Sequence, residues 1–110
     1  MFENISWGKK NRLASIVAAD GHALMLAIDH GYFMGPTTGM ERPGEAIANL
    51  VPWVDSLMLS PGILTSCVPS DFAKGIVLRA SGGNTVLDSD IDDVVLILEP
   101  EVAIKLNASA

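Results

Sequence analysis

The 110 residues carry 13 acidic against 7 basic side chains, a formal charge of −6, and are 49% apolar with few aromatics, the balance of a folded domain rather than a disordered segment. That balance argues against a nucleic-acid partner, since only Lys9 and Lys10 are adjacent and binders of a phosphate backbone cluster their cations. The single cysteine, Cys67, forbids an internal disulfide and a thiolate metal centre and points to a reducing, cytoplasmic setting; no apolar run nears the ~20 residues of a membrane helix, and Met1 to Lys10 hold no signal-peptide core.

In chain order, Leu13, Ile16 and Val17 fall at helical spacing and predict a short helix over Lys9 to Ala18. Asp20-Gly21 marks a turn, with His22 on the surface beside it. Six consecutive apolar residues, Ala23 to Ile28, read as a strand buried on both faces, as in a parallel sheet. It ends at Asp29-His30-Gly31, and Gly31 to Gly39 is loop. Thr38 with Glu41 has the form of a capping box, predicting a helix that starts there and carries its apolar stripe on Ala46, Ile47, Leu50 and Val51 before Pro52 closes it. A second strand, Ser56 to Leu59, ends at Ser60-Pro61-Gly62, and a brief helical or irregular stretch follows from Ile63 to Lys74. The third strand, Ile76 to Leu78, ends at Arg79-Ala80-Ser81-Gly82-Gly83. An apolar run over Val94 to Leu98 precedes a helix from Pro100 to Leu106, proline being well placed in a first turn.

Three times, then, an apolar run ends in a small, polar, glycine-bearing loop. Asp29 and Ser60 stand 31 positions apart, close to the ~30 residues of a βαβ unit. The pattern predicts an α/β fold with parallel strands, in which chemistry gathers at the carboxyl ends. Candidate site residues are therefore those at the three loops. Asp29 at a strand mouth has the chemistry to move protons or orient a cationic lysine, or else to cap its own loop. His30 has the same two readings, substrate contact or a hydrogen bond within the loop. Gly31 to Gly39 lacks both a P-loop ending and a dinucleotide fingerprint, so it is a backbone-permissive loop. Ser60, Ser81 and Gly82 line the other mouths; Arg79 suits an anion or an acidic neighbour. The lysines are the missing element. Lys9, Lys10, Lys74 and Lys105 all fall away from the strand mouths, so none suits an amine nucleophile, which needs a depressed pKa.

Leu26-Ala27-Ile28-Asp29-His30-Gly31-Tyr32-Phe33, with Gly35-Pro36-Thr37-Thr38-Gly39 after it, resembles the first strand and loop of the class I fructose-bisphosphate aldolase superfamily. Ser56 to Leu59 with Gly62-Ile63-Leu64, and Val77 to Gly82 with Asn84, resemble its second and third units. Within it the likeness leans, on Tyr32-Phe33 and Thr37-Thr38, to the LsrF-type thiolases of autoinducer-2 processing. The resemblance implies a (β/α)₈ TIM barrel that binds a phosphorylated ketose or diketone through a Schiff base, uses no metal and takes coenzyme A as co-substrate in the thiolase branch. It implies a catalytic role for Asp29 and a homo-oligomer for the full-length family, while His30, Gly31, Ser60, Arg79 and Ser81 are the substrate-binding candidates by their places at the strand mouths. A complete barrel needs about 250 residues, so residues 1–110 are expected to be an N-terminal portion with the C-terminal half absent. Two further expectations follow: the isolated chain has open sheet edges that invite self-association, and it lacks the Schiff-base lysine. The alternatives are a class I fructose-bisphosphate aldolase and a small non-catalytic metabolite-binding domain.

Overall fold

The computed structural model describes residues 3–31, 35, 37–82 and 95–110. Its centre is a parallel sheet of three strands in the order β1 (Met25–Ala27), β2 (Ser56–Leu59), β3 (Gly75–Leu78). Helix α1 (Trp7–Ala14) precedes β1, and its start is fixed by Ser6, whose hydroxyl accepts from the Lys9 amide. Between β1 and β2 lies α2 (Pro43–Leu50), which tightens into a 3₁₀ turn over Val51–Trp53. Helix α3 (Pro61–Cys67) joins β2 to β3, and α4 (Pro100–Lys105) follows a short antiparallel pair of two-residue strands, β4 (Ser81–Gly82) and β5 (Val95–Leu96).

Alternation along the strands divides the sheet into two faces. Leu26, Leu57 and Ile76 lie on one rung and Ile28, Leu59 and Leu78 on the next, all turned toward the helices, where they meet Ile47 of α2 and Leu64 of α3. Leu57 and Leu59 are fully buried. The opposite face carries Met25, Ser56 and Gly75 at the amino ends of the strands, then Ala27, Met58 and Val77. Gly75 cannot be larger: a Cβ there would run into the Ser15 carbonyl, to which its own amide donates at 3.1 Å. That contact seals the foot of the sheet with the segment after α1.

The structure corrects two expectations. Thr38 does not cap α2. Its neighbour Gly39 has φ +84°, outside helical space, and the Met40 amide donates to the Thr37 carbonyl in a turn. The helix starts at Pro43 instead, whose fixed φ suits a first turn, with Arg42 as N-cap and no side-chain cap bond. The outer edge of β3 is also not open. The Ala110 amide donates to the Ile76 carbonyl (3.2 Å) and the Leu78 amide to the Ala110 carbonyl (2.9 Å), the bracketing pattern of a parallel pair opposite Val77. The Ser109 amide adds a bond to the same Ile76 oxygen (2.7 Å). The outer edge of the three-stranded sheet thus shares three backbone hydrogen bonds with Ser109 and Ala110.

Candidate functional site at the strand mouths

Carrying the strand registers on by one or two rungs sets Asp29, Ser60 and Arg79 level, on the face turned away from the helices. The sequence places each of them. Ile28 still belongs to the ladder, its amide donating to the Met58 carbonyl (2.7 Å), so Asp29 is the first residue past the strand. The Arg79 amide donates to the Leu59 carbonyl (3.0 Å), so Arg79 holds the same position on β3.

Asp29 is 6% exposed, and its carboxylate receives the Arg79 guanidinium, Nη1 to Oδ2 at 2.7 Å. The arginine reaches over the end of β2 to do so. The same guanidinium donates through Nε to the Ser81 carbonyl (2.8 Å), tying the carboxylate to the β4–β5 pair. A buried carboxylate without a partner would be strongly disfavoured, so the charge-assisted bond is what permits Asp29 to sit there. Of the two roles open for Arg79, the acidic neighbour is the one present. The Asp29 carboxylate faces this arginine rather than capping its own loop.

Ser60 also has a structural role, because its Oγ accepts from the Ile63 amide (3.4 Å) and caps α3. Ser81 is exposed in β4 and joins the site through its carbonyl alone. Gly31 is exposed beside the mouth of β1. The Nδ1 atom of His30 is buried without a hydrogen-bond partner among the described residues, as is the Thr37 hydroxyl in the same loop. Tyr32, Phe33, Pro36, Gly83 and Asn84, on which part of the family likeness rests, lie outside the described residues.

No amine stands at this mouth among the described residues. Lys74 is at the opposite end, its ammonium donating to the Val51 and Val54 carbonyls (both 2.6 Å) where the 3₁₀ turn leaves oxygens over. Lys105 pairs with Glu101 on α4 (2.9 Å), and Lys9 and Lys10 are exposed on α1. Cys67 is a free thiol, half-buried between α2 and α3. His22 is exposed in its turn, against Asp20. No cluster of three or more metal-ligating side chains occurs among the described residues, and none of their helices is long and apolar enough to cross a membrane.

Parallel strands alternating with helices, with a buried acid at the mouth of the first, match a portion of an aldolase-type (β/α) barrel, and the chain is similar in sequence and in fold to class I aldolases and their thiolase relatives. Its fold superposes on that of the Schiff-base-forming fructose-1,6-bisphosphate aldolase with a TM-score of 0.73 at 28% identity, over 93% of this chain and 42% of that one. An archaeal fructose 1,6-bisphosphate aldolase gives 0.70 at 26%, with the same coverage. Closer in sequence is the 3-hydroxy-5-phosphonooxypentane-2,4-dione thiolase of Yersinia pseudotuberculosis, 44% identical over 108 residues. An uncharacterized aldolase of Pasteurella multocida is 46% identical over 107 residues. The chain spans 37% of the length of each of these two relatives. No family model matches the sequence.

Proposed function

We propose that this chain supplies the carboxylate side of a Schiff-base pocket for a phosphorylated diketone or ketose. The reaction is transfer of an acetyl group from 3-hydroxy-5-phosphonooxypentane-2,4-dione to coenzyme A. The observation that carries this reading is Asp29, buried at the mouth of β1 and paired with Arg79 from the mouth of β3. In such a pocket an amine adds to a substrate carbonyl, and loss of water leaves a cationic iminium. A fixed anion beside it stabilises that cation and takes or returns the protons that the addition and dehydration move. His30, whose buried Nδ1 has no hydrogen-bond partner among the described residues, is the group to hydrogen-bond a substrate hydroxyl or carbonyl. Gly31, Ser60 and Ser81 complete the wall. The amine and the phosphate-binding loops belong to the part of the relatives that this chain does not match. On this reading the protein works in the cytoplasm, as part of a homo-oligomer.

Cleavage of a sugar bisphosphate is the second reading, favoured by the superposition on fructose-bisphosphate aldolases. The two separate in one experiment. Joining this chain to the unmatched remainder of the Yersinia pseudotuberculosis thiolase should give an enzyme that forms acetyl-coenzyme A. In it, Asp29→Asn should lower turnover by about 10²- to 10⁴-fold, the usual contribution of a positioned proton-transfer group. Full turnover in the Asp29→Asn variant, with an unchanged pH profile, would remove Asp29 from the chemistry. Cleavage of fructose 1,6-bisphosphate without acetyl transfer would select the second reading. This chain by itself should trap no ketose phosphate on borohydride reduction.

A further inference from the structure

The turn between α1 and β1 lies at the far end of the sheet from the strand mouths and carries reactive groups of its own. Of the chain's eight aspartates only Asp20 is followed by a glycine, and both residues are exposed. Two backbone bonds close the turn: the Gly21 amide donates to the Ala18 carbonyl (2.9 Å) and the Ala18 amide to the His22 carbonyl (2.8 Å). Gly21 sits at φ +85°, with open space where a Cβ would stand. The Asp20 side chain folds forward along the chain. Its Oδ1 accepts from the His22 amide (3.0 Å), an Asx turn that lays the carboxyl group over the intervening Gly21 peptide. Its Oδ2 lies 3.5 Å from Nδ1 of His22.

We propose that Asp20-Gly21 is a self-modification site, where the chain rearranges through a cyclic imide to an isoaspartyl linkage. In the first step the Gly21 nitrogen bonds to Cγ of Asp20. One carboxyl oxygen departs and leaves as water with the proton that the nitrogen gives up. In the second step water adds to the main-chain carbonyl carbon of Asp20, and the bond from that carbon to the Gly21 nitrogen breaks. The chain then runs through Cβ and Cγ, and the former main-chain carbonyl is a free carboxylate. One water leaves and one returns, so the mass is unchanged and no other reactant is consumed. Glycine puts no Cβ in the way of the five-membered ring. The Asx turn holds the reacting atoms together before reaction. His22, when protonated, can hand a proton to the departing oxygen. The other described aspartates lack this set: Asp29 is buried against Arg79, Asp55 holds the Leu24 amide with Oδ2 (2.7 Å), and Asp71 precedes Phe72. The imide nitrogen has no hydrogen, so the bond from Gly21 to Ala18 is lost on the way. The product has one more backbone carbon in the link between β1 and the segment whose Ser15 carbonyl seals Gly75.

The test ages the whole chain in warm, near-neutral buffer, digests it, and separates the peptides by chromatography, with electron-transfer fragmentation to tell isoaspartate from aspartate. A second peptide of equal mass and shifted elution is expected, modified at residue 20, preceded by a species short of one water. The peptides holding Asp55 and Asp71 should stay unchanged. Asp20→Glu should lose the product, because its ring would need six members. His22→Ala should slow its appearance about ten-fold, less than a buried proton donor supplies, because this pair is exposed. An unmodified Asp20, isomerisation at Asp71 as fast as at Asp20, or an unchanged rate in His22→Ala would each overturn the proposal.

Discussion

The two faces of one short sheet differ in kind. On the helix side, Leu57, Leu59, Ile28 and Leu78 are sealed against Ile47 and Leu64 with no polar atom among their side chains. On the other side the same three strands present glycine, serine, alanine and methionine, then end on a carboxylate, a hydroxyl and a guanidinium. The first face holds the fold together. The second holds the buried Asp29–Arg79 pair on which the proposed function rests. Strand alternation assigns neighbouring residues to opposite faces, so Ile28 lies in the core and Asp29 faces the strand mouths.

That contrast can be broken by mutation. The largest effect should come from Leu57→Ala, which empties a fully buried site on the helix side and should cost about 2–5 kcal/mol in chemical denaturation. A loss below about 1 kcal/mol would mean that the helix side is not the core. Arg79→Met should cost less, about 1–3 kcal/mol. It strands a buried carboxylate, but the arginine side chain is itself 30% exposed and partly solvated. Smallest should be Ser56→Ala, from neutral to about 1 kcal/mol stabilising, because it deletes an enclosed hydroxyl that has no partner among the described residues. A clear loss of stability in the Ser56→Ala variant would show that the hydroxyl is already satisfied.

Much of this was legible in the sequence, and the reasons differ by element. Uninterrupted apolar runs ending in Asp-His-Gly, Ser-Pro-Gly and Arg-Ala-Ser-Gly announce parallel strands because local chemistry fixes both the run and its stop. The mouths of β1, β2 and β3 were therefore readable as one cluster. The start of α2 was not: Thr38 and Glu41 fit a capping box in spacing, but Gly39 in a left-handed conformation and Pro43 at the first turn decide otherwise. The partner of Arg79 was readable only as a choice between an anion and an acid, because β1 and β3 stand fifty residues apart and only the register of β2 between them brings the two side chains together. The hydrogen bonding of Ser109 and Ala110 to β3 carries no local signal at all; two small residues after a helix are held there because the edge of β3 is present to receive them.

The shared site at the strand mouths depends on Asp29 and Arg79 meeting across the end of β2. A double-mutant cycle with Asp29→Asn, Arg79→Met and the pair measures that meeting directly through denaturation free energies. A coupling of about 1–2 kcal/mol is predicted, so that the double variant is less damaged than the sum of the single ones. Strictly additive losses, with coupling under about 0.3 kcal/mol, would mean that the two strand mouths do not share one site.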